Sequence, residues 1–238
     1  MTVLVKGAAV WLAMWGGTAA GQALSVVPVN VFFAPGQNAK TLMVTNRSDR
    51  DAAIQIRSYT WNQPDGNDQL DATHALVISP PIVTIPAGAS QLVRLLLKQP
   101  AAYKEATYRI ILDELPPPPE DGVIHVVFRL SIPVFSQPAK RAVPQLQFHV
   151  ECADGQVYLV AVNQGLRHEA IRDIELSTAA GGKLKPDSGS SPYILAGATR
   201  RWHVAAQGFQ PQPDDTLKLT AHADAGTIEQ QIRVAAKP

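Results

Sequence analysis

The chain has 238 residues, 21 Lys and Arg against 20 Asp and Glu, and a formal net charge of +1. It is 46% hydrophobic and contains 19 prolines and one cysteine, Cys152. A near-neutral chain gives no basis for counterion release from nucleic acid, and one cysteine cannot form an internal disulfide. We therefore expect a protein that is stabilised by its apolar cores and has no nucleic-acid partner.

The first 23 residues have the order of regions found in a secretory signal peptide. A short segment with Lys6 precedes the apolar run AAVWLAMW, and the small-residue run GGTAAGQA follows it. The apolar run is too short to span a bilayer, so we expect no stable membrane insertion. We predict export and cleavage after Ala23, with Ala19 or Ala20 as alternatives. Removal of residues 1–23 takes away one lysine and no acid, so the formal charge changes from +1 to zero.

The next part, residues 24–140, is predicted to be an all-β domain. Short Val, Ile and Leu runs alternate with turn residues, and the stretch at 65–68, Asp-Gly-Asn-Asp, is predicted to be a hairpin turn. Seven strands at this spacing are typical of an immunoglobulin-like sandwich. The predicted strands are 24–33, 40–46, 52–61, 75–81, 90–98, 108–115 and 123–135.

A Pro-bounded basic segment at 137–144 interrupts the alternation and predicts a linker. The remainder, residues 141–238, contains further short β-type runs separated by Asp-Gly, Asn-Gln-Gly and Gly-Gly turns. We therefore predict two immunoglobulin-like β-sandwich domains in tandem, residues 24–140 and 141–238, after a signal peptide at 1–23. The second domain is the smaller one.

The last predicted strand of the first domain is long and strongly alternating. It follows the run Pro116–Pro119, and Pro133, which cannot donate to a ladder, indicates that one side of the strand is a sheet edge. A long apolar edge strand is an aggregation hazard unless it is used, and one use is addition to another protein's sheet. The apolar residues on its alternating face are Ile124, Val126, Phe128, Leu130 and Ile132.

Motifs of enzymes and metal sites are missing from the sequence. The six histidines are scattered without metal-ligand spacing, and no HExxH, GxSxG, CxxC or glycine-rich phosphate loop occurs. Asp113 and Glu114 are adjacent and point to opposite faces of a strand, so they cannot work as a paired acid and base. We expect a protein that is not an enzyme and has no catalytic residue, cofactor or metal.

Several segments stand in a telling order and spacing: 44–46, 79–95, Tyr108-Arg109, 115–117, 130–135, 163–165 and 191–202. Together they resemble the periplasmic pilus chaperones of the chaperone–usher type, the PapD-like immunoglobulin family. In the second domain the similarity is greatest to the archaic branch, which serves spore-coat-U-type pilins.

The resemblance implies a function in the periplasm. Such a chaperone lends a strand to a pilin that lacks its own last strand, and then delivers the pilin to an outer-membrane usher. The lent residues are then Ile124, Val126 and Phe128, with Leu130 and Ile132 as further candidates. Pilin subunits and the usher are the expected partners, and a client-free chaperone can cap its own edge as a dimer or oligomer.

The family also binds the pilin's terminal carboxylate with basic residues in the cleft between the domains. Here the two familiar basic positions are occupied by Asn30 and Pro133. A carboxylate in a partly dry cleft still needs a charged donor. The remaining candidates are Arg109, which follows Tyr108, then Arg129 and then Arg94.

Two other functions remain open at this point. A secreted two-domain adhesin or carbohydrate-binding module needs exposed aromatic platforms, for which Trp61 and Trp202 are the candidates. A β-sandwich hydrolase is disfavoured because its catalytic motifs are missing. The sequence does not identify the client pilin.

Overall fold

The computed structural model describes residues 24–119, 121–122, 125–153, 156–178, 181–187, 191–205, 211–212 and 214–235. The predicted signal segment and the predicted donor residue Ile124 lie outside these residues. In the described part of the chain the one helical element is a 3-10 turn at Pro64–Gly66. No helix there is long and apolar enough to cross a membrane. The all-β prediction is confirmed.

The N-terminal domain is a sandwich of two sheets. One sheet has the strand order β1-β3-β8-β6, and the other has the order β2-β10-β9-β4, with β5 and β7 both pairing with the far side of β4. The strands are β1 (Leu24–Val27), β2 (Val31–Phe33), β3 (Ala39–Asn46), β4 (Ala52–Asn62), β5 (Gln69–Ala72), β6 (Leu76–Ser79), β7 (Ile82–Ile85), β8 (Ser90–Leu97), β9 (Ala106–Glu114) and β10 (Arg129–Ser136).

The core of this domain lies between the two sheets because alternate side chains of each strand point inward. Leu42 of β3, Ile110 of β9 and Ile132 of β10 are among its buried members. Side chains one position away from these point out of the sandwich. On β9 this alternation puts Arg109 on the outer face of the second sheet.

The predicted strand at 24–33 divides into two strands in different sheets. β1 pairs with β3, whereas β2 pairs in parallel with the end of β10. Pro28 lies in the connection, where its missing N–H cannot contribute to either ladder. The short strands β5 and β7 were not predicted. β5 has no buried residue and therefore lacks the alternation that marks a strand.

The last strand of the domain is shorter than the sequence predicts. β10 begins at Arg129, and residues 125–128 are not in a strand. The reason is the lack of a partner: β9 ends at Glu114, and the prolines at 116–119 that follow have no N–H to donate.

The C-terminal domain has one sheet whose pairings close on themselves. Its order is β14-β16-β12-β11-β18-β17-β13-β15, and a further pairing joins β13 to β14. Leu159, Trp202 and Leu219 are buried in its core. The strands are β11 (Leu146–Ala153), β12 (Gln156–Asn163), β13 (Glu169–Ser177), β14 (Lys183–Pro186), β15 (Tyr193–Ile194), β16 (Thr199–Ala205), β17 (Thr216–Ala223) and β18 (Gly226–Ala235).

A third apolar cluster joins the two domains. Trp61 and Phe135 of the first domain pack with Ala170, Tyr193 and Leu195 of the second. The Phe135 and Tyr193 rings lie 5.4 Å apart between centroids. The cluster covers the outer face of β4 and β10, beside Arg109.

Candidate functional site

Arg109 projects from β9 into the cleft between the domains. Its guanidinium carbon lies 3.7 Å from the centroid of the Trp61 ring and 5.7 Å from that of Tyr193. Its Nη2 donates a long hydrogen bond of 3.5 Å to Ser191 Oγ. Among the residues that the structure describes, Arg109 makes no other side-chain hydrogen bond or ion pair. Most of its N–H donors are therefore available to an anion.

The charge of Arg109 is only partly compensated by its surroundings. Burial in the cleft lowers the pKa of Arg109, the nearby Asp68 carboxylate raises it, and the Arg200 guanidinium lowers it. Arginine keeps its proton in proteins, so Arg109 is a partly desolvated cation. Hydrogen bonds between ionised partners are the strong ones, so this cation is suited to bind a carboxylate.

Asp68, at the end of the β4–β5 loop, is the acceptor that several cleft residues share. Its Oδ1 accepts hydrogen bonds from Trp61 Nε1 at 3.1 Å and Gln63 Nε2 at 2.8 Å. Arg200 of the second domain approaches the same oxygen with Nη1 at 3.3 Å. Arg200 also donates from Nη2 to the Ser191 carbonyl oxygen at 3.1 Å. Arg109, Arg200 and Asp68 together carry one more positive charge than negative.

The β4–β5 loop docks the first domain onto the second. Gln63 Nε2 donates to the Tyr193 carbonyl oxygen at 2.9 Å, and Gln63 Oε1 accepts from the Leu195 amide at 2.8 Å. Gly66 has a φ of +79°, and a Cβ at this position would lie 3.2 Å from the Thr199 carbonyl oxygen. The stretch at 65–68 is a hairpin turn, as predicted, and it also fixes the cleft.

A second contact between the domains is a buried pair, Glu105 and His168. The His168 backbone amide lies 2.9 Å and its Nδ1 lies 2.6 Å from Glu105 Oε2. The His168 ring stacks on Phe135 with the centroids 3.6 Å apart. This contact helps to hold the domains in one relative orientation next to the cleft.

The other two predicted anchors lie away from the cleft. Arg129 opens β10 and forms an ion pair with Asp113, which also binds Arg57. Asp113 is four residues beyond Arg109 on β9, which corresponds to about 13 Å along a strand. Arg94 is an exposed residue of β8, in the other sheet. Of the three arginines, only Arg109 contacts the second domain among the described residues.

The predicted donor residues divide into two groups. Leu130 and Ile132 lie in β10 and pack on the domain's own core. Val126 is 74% exposed, and Phe128 is partly buried just before the strand. The Phe128 carbonyl oxygen accepts a hydrogen bond from the Glu114 amide at 2.9 Å, which is the last rung of the ladder. β2 covers the other side of β10 only at 134–136, so the edge from Arg129 to Pro133 is unpaired within the described residues.

Sequence reasoning missed four residues of the cleft. Asp68 was assigned to a turn, and no role was given to Ser191, Tyr193 or Arg200. The segment 191–202 was recognised as a similarity, but a cleft between two domains brings together residues that no local pattern connects. Trp61 and Trp202 are both buried, so neither offers the exposed platform that a carbohydrate-binding module needs.

Comparison with known proteins agrees with this architecture. Residues 23–142 match the family described as pili and flagellar-assembly chaperone, PapD N-terminal domain. A probable fimbrial chaperone of Escherichia coli K12, EcpB, is 29% identical over 101 residues, which are 41% of this chain and 46% of EcpB. The match thus spans about half the length of that curated relative.

Solved structures show the same fold over both domains. CsuC, from the CsuC–CsuE chaperone–tip adhesion subunit complex of Acinetobacter baumannii, is 23% identical with a TM-score of 0.67, over 91% of this chain and 100% of CsuC. The YadV chaperone is 16% identical with a TM-score of 0.63, over 89% of this chain and 100% of YadV. CupB2 of Pseudomonas aeruginosa is 14% identical with a TM-score of 0.56, over 89% and 100%.

The matched family is a family of chaperones and not of enzymes. Its match covers the whole N-terminal sandwich, including Arg109 and β10. The chain belongs to the pili and flagellar-assembly chaperones that share the PapD N-terminal domain.

Proposed function

We propose that this chain binds, folds and caps pilus subunits by donor-strand complementation in the periplasm and delivers them to an outer-membrane usher. The observation that carries the proposal is the register of β9 and β10, in which Pro133 on the open edge is directly opposite Arg109. A client strand that pairs with this edge and ends in the cleft can bring its terminal carboxylate to Arg109.

The apolar residues before and along β10 provide the side chains that an incomplete sheet lacks. Val126 and Phe128 lie ahead of the strand, where they have no ladder partner beyond Glu114. Leu130 and Ile132 already pack on the chaperone's own core, so in a complex they lie where the two cores meet. Each large apolar side chain that enters a client's groove contributes about 1.5–3 kcal/mol before association costs are subtracted.

Arg109 fits the role of carboxylate anchor better than the other candidates. It is a desolvated cation with unused donors, whereas Arg129 is already paired with Asp113. Asn30, at one of the two familiar basic positions, also lies at the cleft, where its Oδ1 accepts a hydrogen bond from the Tyr193 hydroxyl at 3.4 Å. In this chain a cation on the strand next to Pro133 therefore takes the place of the basic residues at these two positions.

Export and domain organisation complete the proposal. Residues 1–23 are inferred to direct the chain to the periplasm, where pilin and usher meet. The boundary is put at 140/141 because one core draws on residues 24–134 and the other on residues 146–234. Two similar structures support subunits as clients: CsuC was solved with CsuE, and SafB of Salmonella enterica with the SafA pilin.

The test is recovery of a pilin in complex with the chaperone. The subunit is taken from the reading frames that adjoin this gene and is expressed together with wild-type chaperone, Arg109→Ala or Arg94→Ala. We expect Arg109→Ala to lower the recovered complex by about tenfold or more, because a central arginine at an interface is commonly worth at least about 2 kcal/mol. Arg94→Ala, a control with the same loss of charge on the other sheet, should leave recovery unchanged.

The melting temperature of each free variant is measured in parallel. A change of less than about 2 °C ensures that lost recovery is lost binding and not unfolding. Unchanged recovery with Arg109→Ala would contradict the anchor, and Arg129→Ala is then the next variant to test. No recovery of any adjoining subunit with the wild type would contradict the proposed function itself.

A further inference from the structure

We propose that Asp68 is a positioning residue for the Arg109 anchor: it holds Trp61, on which Arg109 stacks, and Arg200, which closes the cleft from the second domain. The inference rests on the proposed function and extends it to residues of both domains. It explains why a carboxylate of this chain, Asp68, stands beside a site that is meant for the carboxylate of another chain.

The first step is the orientation of Trp61. Its indole N–H donates to Asp68 Oδ1 at 3.1 Å, and its ring lies 3.7 Å from the guanidinium carbon of Arg109. When a guanidinium stacks on an aromatic ring, the ring covers one face of the guanidinium, while the N–H groups point outward in the guanidinium plane. A carboxylate binds best along that plane. A fixed indole therefore fixes the direction in which Arg109 offers its donors.

The second step is the closure of the cleft by Arg200. This side chain is almost completely buried, and its two terminal nitrogens reach Asp68 in one domain and the Ser191 carbonyl oxygen in its own. Ser191 Oγ is also the acceptor for Arg109. One oxygen atom of Asp68 thus contacts both Trp61, on which Arg109 stacks, and Arg200, which closes the cleft beside Arg109.

Two roles for Asp68 make opposite predictions for anion binding. If Asp68 is only a local counter-charge, its removal leaves Arg109 and Arg200 uncompensated and the cleft binds anions more tightly. If Asp68 is a positioning residue, its removal releases Trp61 and Arg200 and the cleft binds anions more weakly, although its net positive charge is higher. The sign of the change separates the two.

The experiment uses acetate as the carboxylate probe, with chloride at the same ionic strength as its control. Binding to the purified protein is followed by the indole N–H resonance of Trp61, which is assigned with a Trp61→Phe variant. The compared proteins are the wild type, Asp68→Ala, Asp68→Asn and Asp68→Glu. Asp71→Asn, an exposed aspartate of β5, is the matched control.

We expect Asp68→Ala to weaken acetate binding by about tenfold, which corresponds to about 1.4 kcal/mol. Asp68→Asn keeps one acceptor oxygen for the indole and should restore wild-type or tighter binding. Asp68→Glu keeps the charge but displaces the carboxylate by one methylene, so a positioning role predicts weaker acetate binding than in the wild type, whereas a counter-charge role predicts wild-type binding. The Glu variant keeps the test valid if the alanine variant fails to fold.

Tighter or unchanged binding by Asp68→Ala, or wild-type binding by Asp68→Glu, overturns the positioning role. A separate variant, Arg109→Gln, tests the site itself. If acetate shifts the Trp61 resonance equally in the wild type and in Arg109→Gln, or in neither, Arg109 is not the anion site and the proposed anchor fails. This result is distinguishable from a failure of Asp68 alone.

Discussion

Pro133 and Arg109 are directly opposite each other on β10 and β9. Pro133 has no N–H to offer, and Arg109 turns its side chain outward to the second domain, 3.7 Å from the ring of Trp61. A strand edge that is open to another chain and a cation that is open to a carboxylate are thus neighbours. In the proposed function, both hold a pilin subunit that pairs with β10.

The proposed donor residue Phe128 provides the first prediction. Phe128→Glu should leave the chaperone folded but abolish recovery of the adjoining pilin, because a charge in an apolar pocket costs several kcal/mol. The control is Val127→Glu, which places the same charge on the neighbouring, exposed residue. Recovery is measured by co-purification. Equal pilin yields from the two variants, with both shown to be folded, would exclude Phe128 from the interface.

The second prediction separates the two groups of proposed donor residues by their effect on the stability of the free chaperone. Ile132 is buried in the chaperone's own core, so Ile132→Ala should lower its free energy of unfolding by about 2–5 kcal/mol. Val126 is exposed, and Val126→Ala should change it by no more than about 0.5 kcal/mol. Urea unfolding of the free chaperone measures both. A small effect at Ile132 would mean that this residue is kept for the client alone.

Two asparagines occupy corresponding turns in the two domains and provide the third prediction. Asn46 is fully buried, and its Nδ2 donates to the carbonyl oxygens of Arg50 at 2.7 Å and Ile85 at 3.0 Å. Asn163 makes the same pair of bonds to Arg167 at 2.8 Å and Ile194 at 3.1 Å. The first asparagine closes β3, and the second closes β12.

Replacement of either asparagine by leucine leaves buried backbone carbonyl oxygens without a hydrogen-bond donor, and each such group costs about 1–3 kcal/mol. Asn46→Leu and Asn163→Leu should therefore each lower the free energy of unfolding by at least about 2 kcal/mol. The control is Asn38→Leu at an exposed position, which should have little effect. If the two buried variants match the control in urea unfolding, these turns are not held by the asparagines.

The fold was predictable because its signals are local, whereas the cleft was not. Short apolar runs between turn residues, as at 40–46 and 108–115, are enough to identify strands. The Asn-Gln-Gly sequence at 163–165 likewise indicates a turn without knowledge of its hydrogen bonds. Asp68 and Arg200 are 132 residues apart in the chain, and only docking of the domains brings them together. A charge in a hairpin turn looks the same whether it faces water or another domain.

The start of β10 shows a different limit. Alternation predicted a strand from residue 123, because a pattern of side chains does not report whether a partner strand exists. The prolines after Glu114 remove that partner, so the ladder ends near Phe128. The four described residues of this row thus comprise two core residues, Leu130 and Ile132, a transition at Phe128 and an exposed Val126. The sequence presents them as one uniform row.

Asp113 provides a prediction about pH. Burial raises the pKa of Asp113, but hydrogen bonds from Arg129 and Arg57 outweigh this effect and lower the pKa. A carboxyl whose pKa is lower in the folded state stabilises that state above its ordinary pKa, and the contribution is lost as the pH falls through the folded value. Asp113→Asn should therefore lower the melting temperature more at about pH 7 than at about pH 3.

The control for this prediction is Asp49→Asn, whose side chain is almost fully exposed. It should have the same small effect at both pH values. A difference between wild type and Asp113→Asn that does not depend on pH would mean that packing, and not the charge of Asp113, holds the end of β9 against β10.

The free chaperone must protect its open edge when no client is present. Val126 is exposed, and the edge from Arg129 to Pro133 has no partner among the described residues, which invites pairing with another chain. We expect concentration-dependent dimers or capped oligomers that form through this strand or the loop at 116–122, and that dissociate when a pilin fills the edge. Sedimentation velocity across the micromolar range measures the association, and Phe128→Glu serves as the variant that should remain monomeric. If the protein is monomeric at all concentrations and hydrogen exchange is fast along residues 125–132, the free chaperone leaves this edge unpaired and the prediction is wrong.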